Sequence, residues 1–177
     1  MGRGSLGFHQ ILSNYKITFP WWAESPSVLF FYGLLFFAFD KWAWKLFRKI
    51  GLLKTPDLNG EWKGHVKSSF NEHLAEIKAT MTIFQSWTRI KILLVTEQSL
   101  SKSETASITV SVPEGKYLSY QYINEPRPEA VNTMSIHRGT ARIFFNEREN
   151  TFAGEYYSGR DRQNFGSLDL KRLTAHV

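Results

Sequence analysis

The hydrophobic pattern of this chain changes period once, across Pro56-Asp57-Leu58-Asn59-Gly60, and that change decides what each part can become. Upstream, Ser25 to Phe39 is an uncharged run of 15 residues rich in Leu, Phe and Val, and Trp42, Trp44, Leu46 and Phe47 carry its apolar character past Asp40 and Lys41. Val28 to Phe39 has no polar face to show water, which predicts a membrane-spanning helix over about residues 25–47. The uncharged run is shorter than the ~20 residues a span needs. Snorkelling by Lys41 and Lys45 and the extension through Trp44 make up the deficit. Trp beside Lys and Arg suits a membrane–water interface, and Pro56 then forbids further helix.

Downstream of Gly60 the period is two. Trp62, Gly64 and Val66 alternate with Lys63, His65 and Lys67, the signature of a strand with one buried face. Seven further segments follow: Leu74 to Gln85, Trp87 to Glu97, Ser103 to Val112, Lys116 to Asn124, Ser135 to Asn146, Asn150 to Ser158 and Asn164 to Arg172. Turn signals separate them, among them Pro113-Glu114-Gly115 and Pro126-Arg127-Pro128. With no helix between them, they pair as an antiparallel meander. Closing that meander removes both exposed edges, so the expected fold is all-β, an eight-stranded antiparallel barrel following an N-terminal transmembrane helix. The division is a membrane-anchoring segment over 1–55 and a ligand-binding barrel over 56–177.

The charge follows the same division. The chain carries +6, and Met1 to Thr55 holds seven Lys and Arg against two acids, so +5 of the excess lies on the anchoring segment. That placement suits a cytoplasmic membrane flank meeting anionic headgroups and argues against DNA or RNA, which would want the charge on the folded domain. Cysteine is absent, which excludes a disulfide framework and thiolate chemistry. The five histidines show no metal-ligand spacing, and no cofactor is expected. Met1 to Gln10 lacks the apolar core of a signal peptide. Phe8, Ile11, Leu12 and Tyr15 sit at the spacing of a short surface helix, or belong to a poorly ordered leader.

Several strands mix aromatics with hydrogen-bonding groups, as in Tyr120-Gln121-Tyr122-Ile123-Asn124 and Tyr156 to Arg162. Aromatic rings stack bases, at about 1–3 kcal/mol per base, and arginine forks match phosphate oxygens. Together they suit a small nucleotide better than a fatty acid, because buried Arg, Gln and Asn without partners are costly. Each residue also has a plainer reading: Trp62 as a plug at one barrel end, Tyr120 and Tyr122 as core, Arg160 and Arg162 as a solvated turn.

The blocks FAFDKWAWK, PDLNGEWKG, SSF, IFQSWTRIKI, TEQSLSKSETA, LSYQYINEP, HRGTARIFF and FAGEYYSGRDRQNFGSLDL, in that order, resemble the two-transmembrane, β-strand-rich effector family of bacterial cyclic-oligonucleotide-based antiphage signalling (CBASS). The resemblance runs from about Val28 to the C-terminus. It implies a non-enzymatic receptor in the bacterial inner membrane. Its cytoplasmic barrel would bind a cyclic dinucleotide made by a partner nucleotidyltransferase, form homo-oligomers, disrupt the membrane and halt growth of the infected cell. Carried onto the matching blocks, it implies ligand contacts from Trp62, Gln85, Trp87, Ser101, Ser103, Tyr120, Tyr122, Thr140, Tyr156, Arg160 and Arg162. Aromatics would stack bases, Gln, Ser and Thr read base edges or ribose, and arginines pair phosphates. The family has two spanning helices where this sequence offers one, which leaves either a first helix missing from this N-terminus or a single-span form. A different class of reading is a membrane-tethered, lipocalin-like barrel for a lipid or apolar metabolite. An enzyme is the weakest reading; it would need the fold to join His137 with Glu155 as an acid–base pair.

Overall fold

A computed structural model describes residues 21–110, 113, 115–160 and 162–173, with side chains from Val28 onward except that of Asn71. The surface helix expected near Phe8 to Tyr15 lies outside these residues. The chain divides into two compact units, Met1–Ala43 and Trp44–Val177.

In the first unit α1 spans Trp21–Ala38 and runs into a π-helical turn, Phe39–Ala43. Among the described residues no helix is long and apolar enough to cross a membrane. The helix starts earlier than the apolar run, so Glu24, Ser25, Pro26 and Ser27 occupy its first turns, and the π turn that follows carries Asp40 and Lys41. Even so, the large apolar side chains of Val28 to Tyr32 and Leu34 to Phe37 are all exposed.

The second unit begins with α2, Trp44–Lys49. Gly51, at φ 80°, ends it in the left-handed region, with its N–H donating to the Arg48 carbonyl and the Leu52 N–H to the Phe47 carbonyl, both at 3.0 Å. Eight strands follow: β1 Gly60–Ser68, β2 Glu76–Gln85, β3 Ile90–Thr96, β4 Ser99–Thr109, β5 Lys116–Pro126, β6 His137–Asn146, β7 Thr151–Ser158 and β8 Phe165–Arg172. Each pairs antiparallel with the next, and β8 returns to β1, so the sheet closes as expected.

Most strand limits fall within a few residues of the alternating segments. Two connections differ. Trp87 belongs to a turn closed by the Ser86 N–H on the Arg89 carbonyl at 2.8 Å, so β3 starts at Ile90. Between β3 and β4 only Glu97 and Gln98 intervene, because the Thr96 hydroxyl accepts from the N–H groups of Gln98 and Ser99 and tightens the turn. β4 therefore begins four residues before the expected Ser103.

An up-and-down barrel has two unlike ends. At one, residues 56–59 lie across the interior, with Leu58 buried. The Gln85 side chain accepts from the Leu58 N–H at 2.8 Å and donates to the Pro56 carbonyl at 3.0 Å, and Arg172 donates to the Asp57 and Asn59 carbonyls. Beneath this plug the core is dry: Trp62, Met81, Ile83, Leu118, Ile143 and Phe152 are all buried to within 1 % of complete. The other end, built from the β1–β2, β3–β4, β5–β6 and β7–β8 connections, stays open.

Candidate functional site

Above the dry core polar side chains join aliphatic ones, Val66, Ile77, Leu94 and Leu168, on the inward face, and a cavity of about 260 Å³ opens toward the mouth. Period-two alternation brings Tyr120, Tyr122 and Asn124 of β5 to its wall, with Ser99 and Ser101 of β4 beside them. Register supplies the pairing: Ser101 stands opposite Asn124, and its hydroxyl donates to the Asn124 Oδ1 at 2.7 Å, while the Asn124 amide reaches the Met134 sulfur at 3.1 Å. His137, at the first position of β6, donates from Nδ1 to the Ser135 carbonyl at 2.9 Å.

Continuing round the wall from β5 to β8, the shape depends on two glycines. Tyr122 is register partner of Gly139, and Tyr156 of Gly166. A Cβ on Gly139 would strike the Tyr122 ring, and one on Gly166 would come within 2.6 Å of the Tyr156 ring. Only glycine lets these rings lie against the neighbouring strand, so the sequence hollows the mouth by deleting side chains across from its largest ones.

Burial pushes the Tyr120 phenol well above its ordinary range. The same desolvation pushes Tyr122 up to about 12, against the opposing pull of the Ser158 hydroxyl and of Arg162. Tyr156 is raised likewise by burial, with Ser68 and Arg162 pulling it down. All three are neutral hydrogen-bonding rings at physiological pH. Arg162, on the β7–β8 turn, holds its guanidinium 5.1 Å from the Phe70 ring centre, and the Asn164 amide, when oriented with its oxygen toward Arg162, accepts from the Nε at 2.7 Å. A fixed cation thus stands at the mouth above neutral aromatics and a buried amide. That arrangement stacks a planar ring, reads polar edges and holds an anion at the entrance.

Of the eleven sequence candidates, Ser101, Tyr120, Tyr122, Tyr156 and Arg162 line this cavity. The others stand elsewhere. Trp62 lies in the dry core 4.3 Å from the Phe152 ring, with its indole N–H on the Leu58 carbonyl. Gln85 holds the plug, and Trp87 packs against Trp44 at that same end. Ser103 faces inward lower down, where its hydroxyl accepts from the Ile92 N–H beside a bulge and replaces a missing ladder bond. Thr140 points outward, bonded to the Tyr120 carbonyl, and Arg160 is exposed. His137 faces inward while Glu155 is exposed and accepts from the Tyr157 hydroxyl, so the fold does not join them. Asn124, His137, Ser99 and the two glycines were not among the candidates. The signal for Asn124 was present, two residues beyond Tyr122 on the same face.

A closed eight-stranded barrel, packed at one end and hollowed into an aromatic and polar cup at the other, is a receptor scaffold for one small ligand. Residues 53–172 match the family described as Cap15, cyclic dinucleotide receptor domain, and the chain belongs to that family of CBASS effectors. It is 32 % identical over 168 residues to CD-NTase-associated protein 15 of Yersinia aleksiciae, covering 92 % of this chain and 78 % of that one. It is 33 % identical over 133 residues to CD-NTase-associated protein 15 of Staphylococcus schleiferi, covering 75 % of this chain and 68 % of that one.

Proposed function

We propose that this chain is a membrane-anchored cyclic dinucleotide receptor whose ligand enters the barrel mouth and drives chains to assemble, disrupting the bacterial inner membrane and halting growth of the infected cell. The observation that carries the reading is the cup itself, which in a chain of this family combines Tyr120, Tyr122 and Tyr156 with the Ser101–Asn124 pair and Arg162. At about 260 Å³ it lies just below the ~300–1,000 Å³ of small-molecule sites. It therefore takes one base, stacked on tyrosine and read by Asn124, while the phosphates stay at the mouth beside Arg162. The reading requires no catalysis. An apolar metabolite suits the cup less well, because it would leave Asn124 and its neighbours facing hydrocarbon.

Anchoring is supported by the exposed apolar side chains of Val28 to Phe37 and by the basic residues that follow, which favour the cytoplasmic side for the barrel. Assembly requires that the ligand bind the assembled state more tightly than the single chain.

The test is a thermal-shift series on the full chain in neutral detergent, with cyclic dinucleotides and their linear forms, followed by light scattering. A ligand at a hundred times its dissociation constant adds about 2.7 kcal/mol. A rise in melting temperature with one cyclic species and not its linear form, together with larger particles, is the expected result. No rise with any of them would sink the receptor reading, and a rise without larger particles would sink the assembly step.

A further inference from the structure

The plugged end of the barrel carries a second concave feature, distant in the fold from the cup. A cleft of about 390 Å³ lies between the last turn of α2 and the barrel, lined by Arg48, Lys49, Leu53 and Lys54 from the helix end and the turn after it, and by Val110, Lys116 and Glu147 from the barrel. Among the described residues four cations share this cleft with one carboxylate, Glu147. Glu147 is held by Lys116 at 2.7 Å and by Arg48 at 3.9 Å. Among the described residues neither Lys49 nor Lys54 makes an ion pair, so the cleft keeps a surplus of positive charge.

This is a built cleft, not a flexible basic tail. The left-handed Gly51 and the two backbone bonds that close α2 fold Leu52, Leu53 and Lys54 back beside Arg48 and Lys49. Lys116 comes from β5, more than sixty residues away in sequence, and is positioned by Glu147. The same stretch of chain, α2 and the turn after it, exposes Leu46, Ile50 and Leu52, each more than 60 % accessible and outside the cleft's lining, with Leu46 and Ile50 one helical turn apart. Cations around a pocket, with aliphatic side chains beside them, match a phosphodiester joined to acyl chains. A soluble anion would use the cations and leave the leucines in water.

We infer that this cleft binds the headgroup of an anionic phospholipid, with Lys49 and Lys54 on the phosphate and Leu46, Ile50 and Leu52 against the acyl chains. The inference rests on the membrane-anchored reading. Its consequence is that the barrel is held by its plugged end, mouth away from the bilayer, by a lipid contact that includes a barrel residue.

The experiment is native mass spectrometry of the full chain in neutral detergent with added dioleoylphosphatidylglycerol or dioleoylphosphatidylcholine. The wild type is expected to retain phosphatidylglycerol in preference to phosphatidylcholine. Each lysine removed should weaken retention roughly fivefold, so Lys49→Ala with Lys54→Ala loses about twenty-five-fold. Lys63→Ala with Lys78→Ala, which removes the same charge from the outer barrel wall, should lose nothing. Equal retention of the two lipids, or equal loss in both double variants, would overturn the site. Inorganic phosphate displacing phosphatidylglycerol at matched concentration would overturn the lipid and leave a free-anion cleft. The Lys49 and Lys54 variant should keep the wild-type melting response to a cyclic dinucleotide, so failure here is read separately from failure of the receptor reading. Partition of the wild type into phosphatidylcholine vesicles tests the anchor by itself.

Discussion

Arg160 and Arg162 stand two apart on one turn, and their surroundings differ completely. Arg160 is exposed, whereas Arg162 is drawn over the mouth by the Phe70 ring and the Asn164 amide. In sequence they are equivalent, since a turn has no period from which to read direction. Removing the mouth cation deletes a charged hydrogen bond to a phosphate, worth about 1.5–3 kcal/mol. Arg162→Ala should therefore weaken cyclic dinucleotide binding about ten- to a hundredfold, measured by titration calorimetry, while Arg160→Ala stays at the wild-type value. Both variants should unfold within about 0.5 kcal/mol of the parent in urea, because neither side chain belongs to the core. Equal losses from the two would mean that net charge near the mouth, not a placed guanidinium, attracts the ligand.

At the scale of elements, the plug over residues 56–59 ties α2 to the barrel through one carboxylate. Burial alone would raise Asp57, but hydrogen bonds from the Asn59 side chain and backbone, with Lys45 3.4 Å away, hold it below its ordinary value. A carboxyl lowered in the folded state adds stability above its unfolded pKa and loses it as pH falls through the folded one. Acid unfolding of the wild type, followed by tryptophan fluorescence below about pH 4, should thus carry an Asp57 contribution that Asp57→Asn lacks. An identical pH dependence in the two proteins would remove Asp57 from the account. The plug also shows where sequence reading stops. The alternation of Trp62, Gly64 and Val66 made β1 legible, and the same rule places Tyr120, Tyr122 and Asn124 on one face. In HRGTARIFF the outward set Arg138, Thr140 and Arg142 is just as legible, and motif matching alone made Thr140 a site residue. Gln85 could not be assigned this way. Its partners lie 26 to 29 residues back in a turn without period, and only the barrel's closure shows that it faces a plug. The Ser101–Asn124 pair was hidden for the same reason, since register across β4 and β5 also depends on the bulge after Ser103.

For the whole molecule, everything depends on the seam where β8 meets β1, because an eight-stranded sheet that fails to close exposes two long edges. The seam is tight at Gly166, where a Cβ would meet the Lys67 carbonyl, and at Gly64, where one would meet the Leu170 Cα at 2.9 Å as well as the Asp169 carbonyl. Both obstacles are backbone, so neither can rotate aside, and the strand must move. Gly64→Ala should cost about 3 kcal/mol, the upper end of ordinary overpacking, and should do so by parting β1 from β8 rather than by disturbing the cup. A parted seam turns a protected barrel into an open sheet, so loss of stability should come with aggregation. Gly33 supplies the control: a Cβ there meets nothing within 4 Å, and alanine in a helix interior is favoured over glycine by about 0.5–1 kcal/mol. Urea unfolding with light scattering on the two variants separates the cases. A lower midpoint with scattering for Gly64→Ala, and a wild-type barrel transition for Gly33→Ala, is the expected pair. A wild-type midpoint for Gly64→Ala would show that the seam can widen by a methyl group without opening, and that closure is held by side chains along the barrel rather than by this approach of backbones.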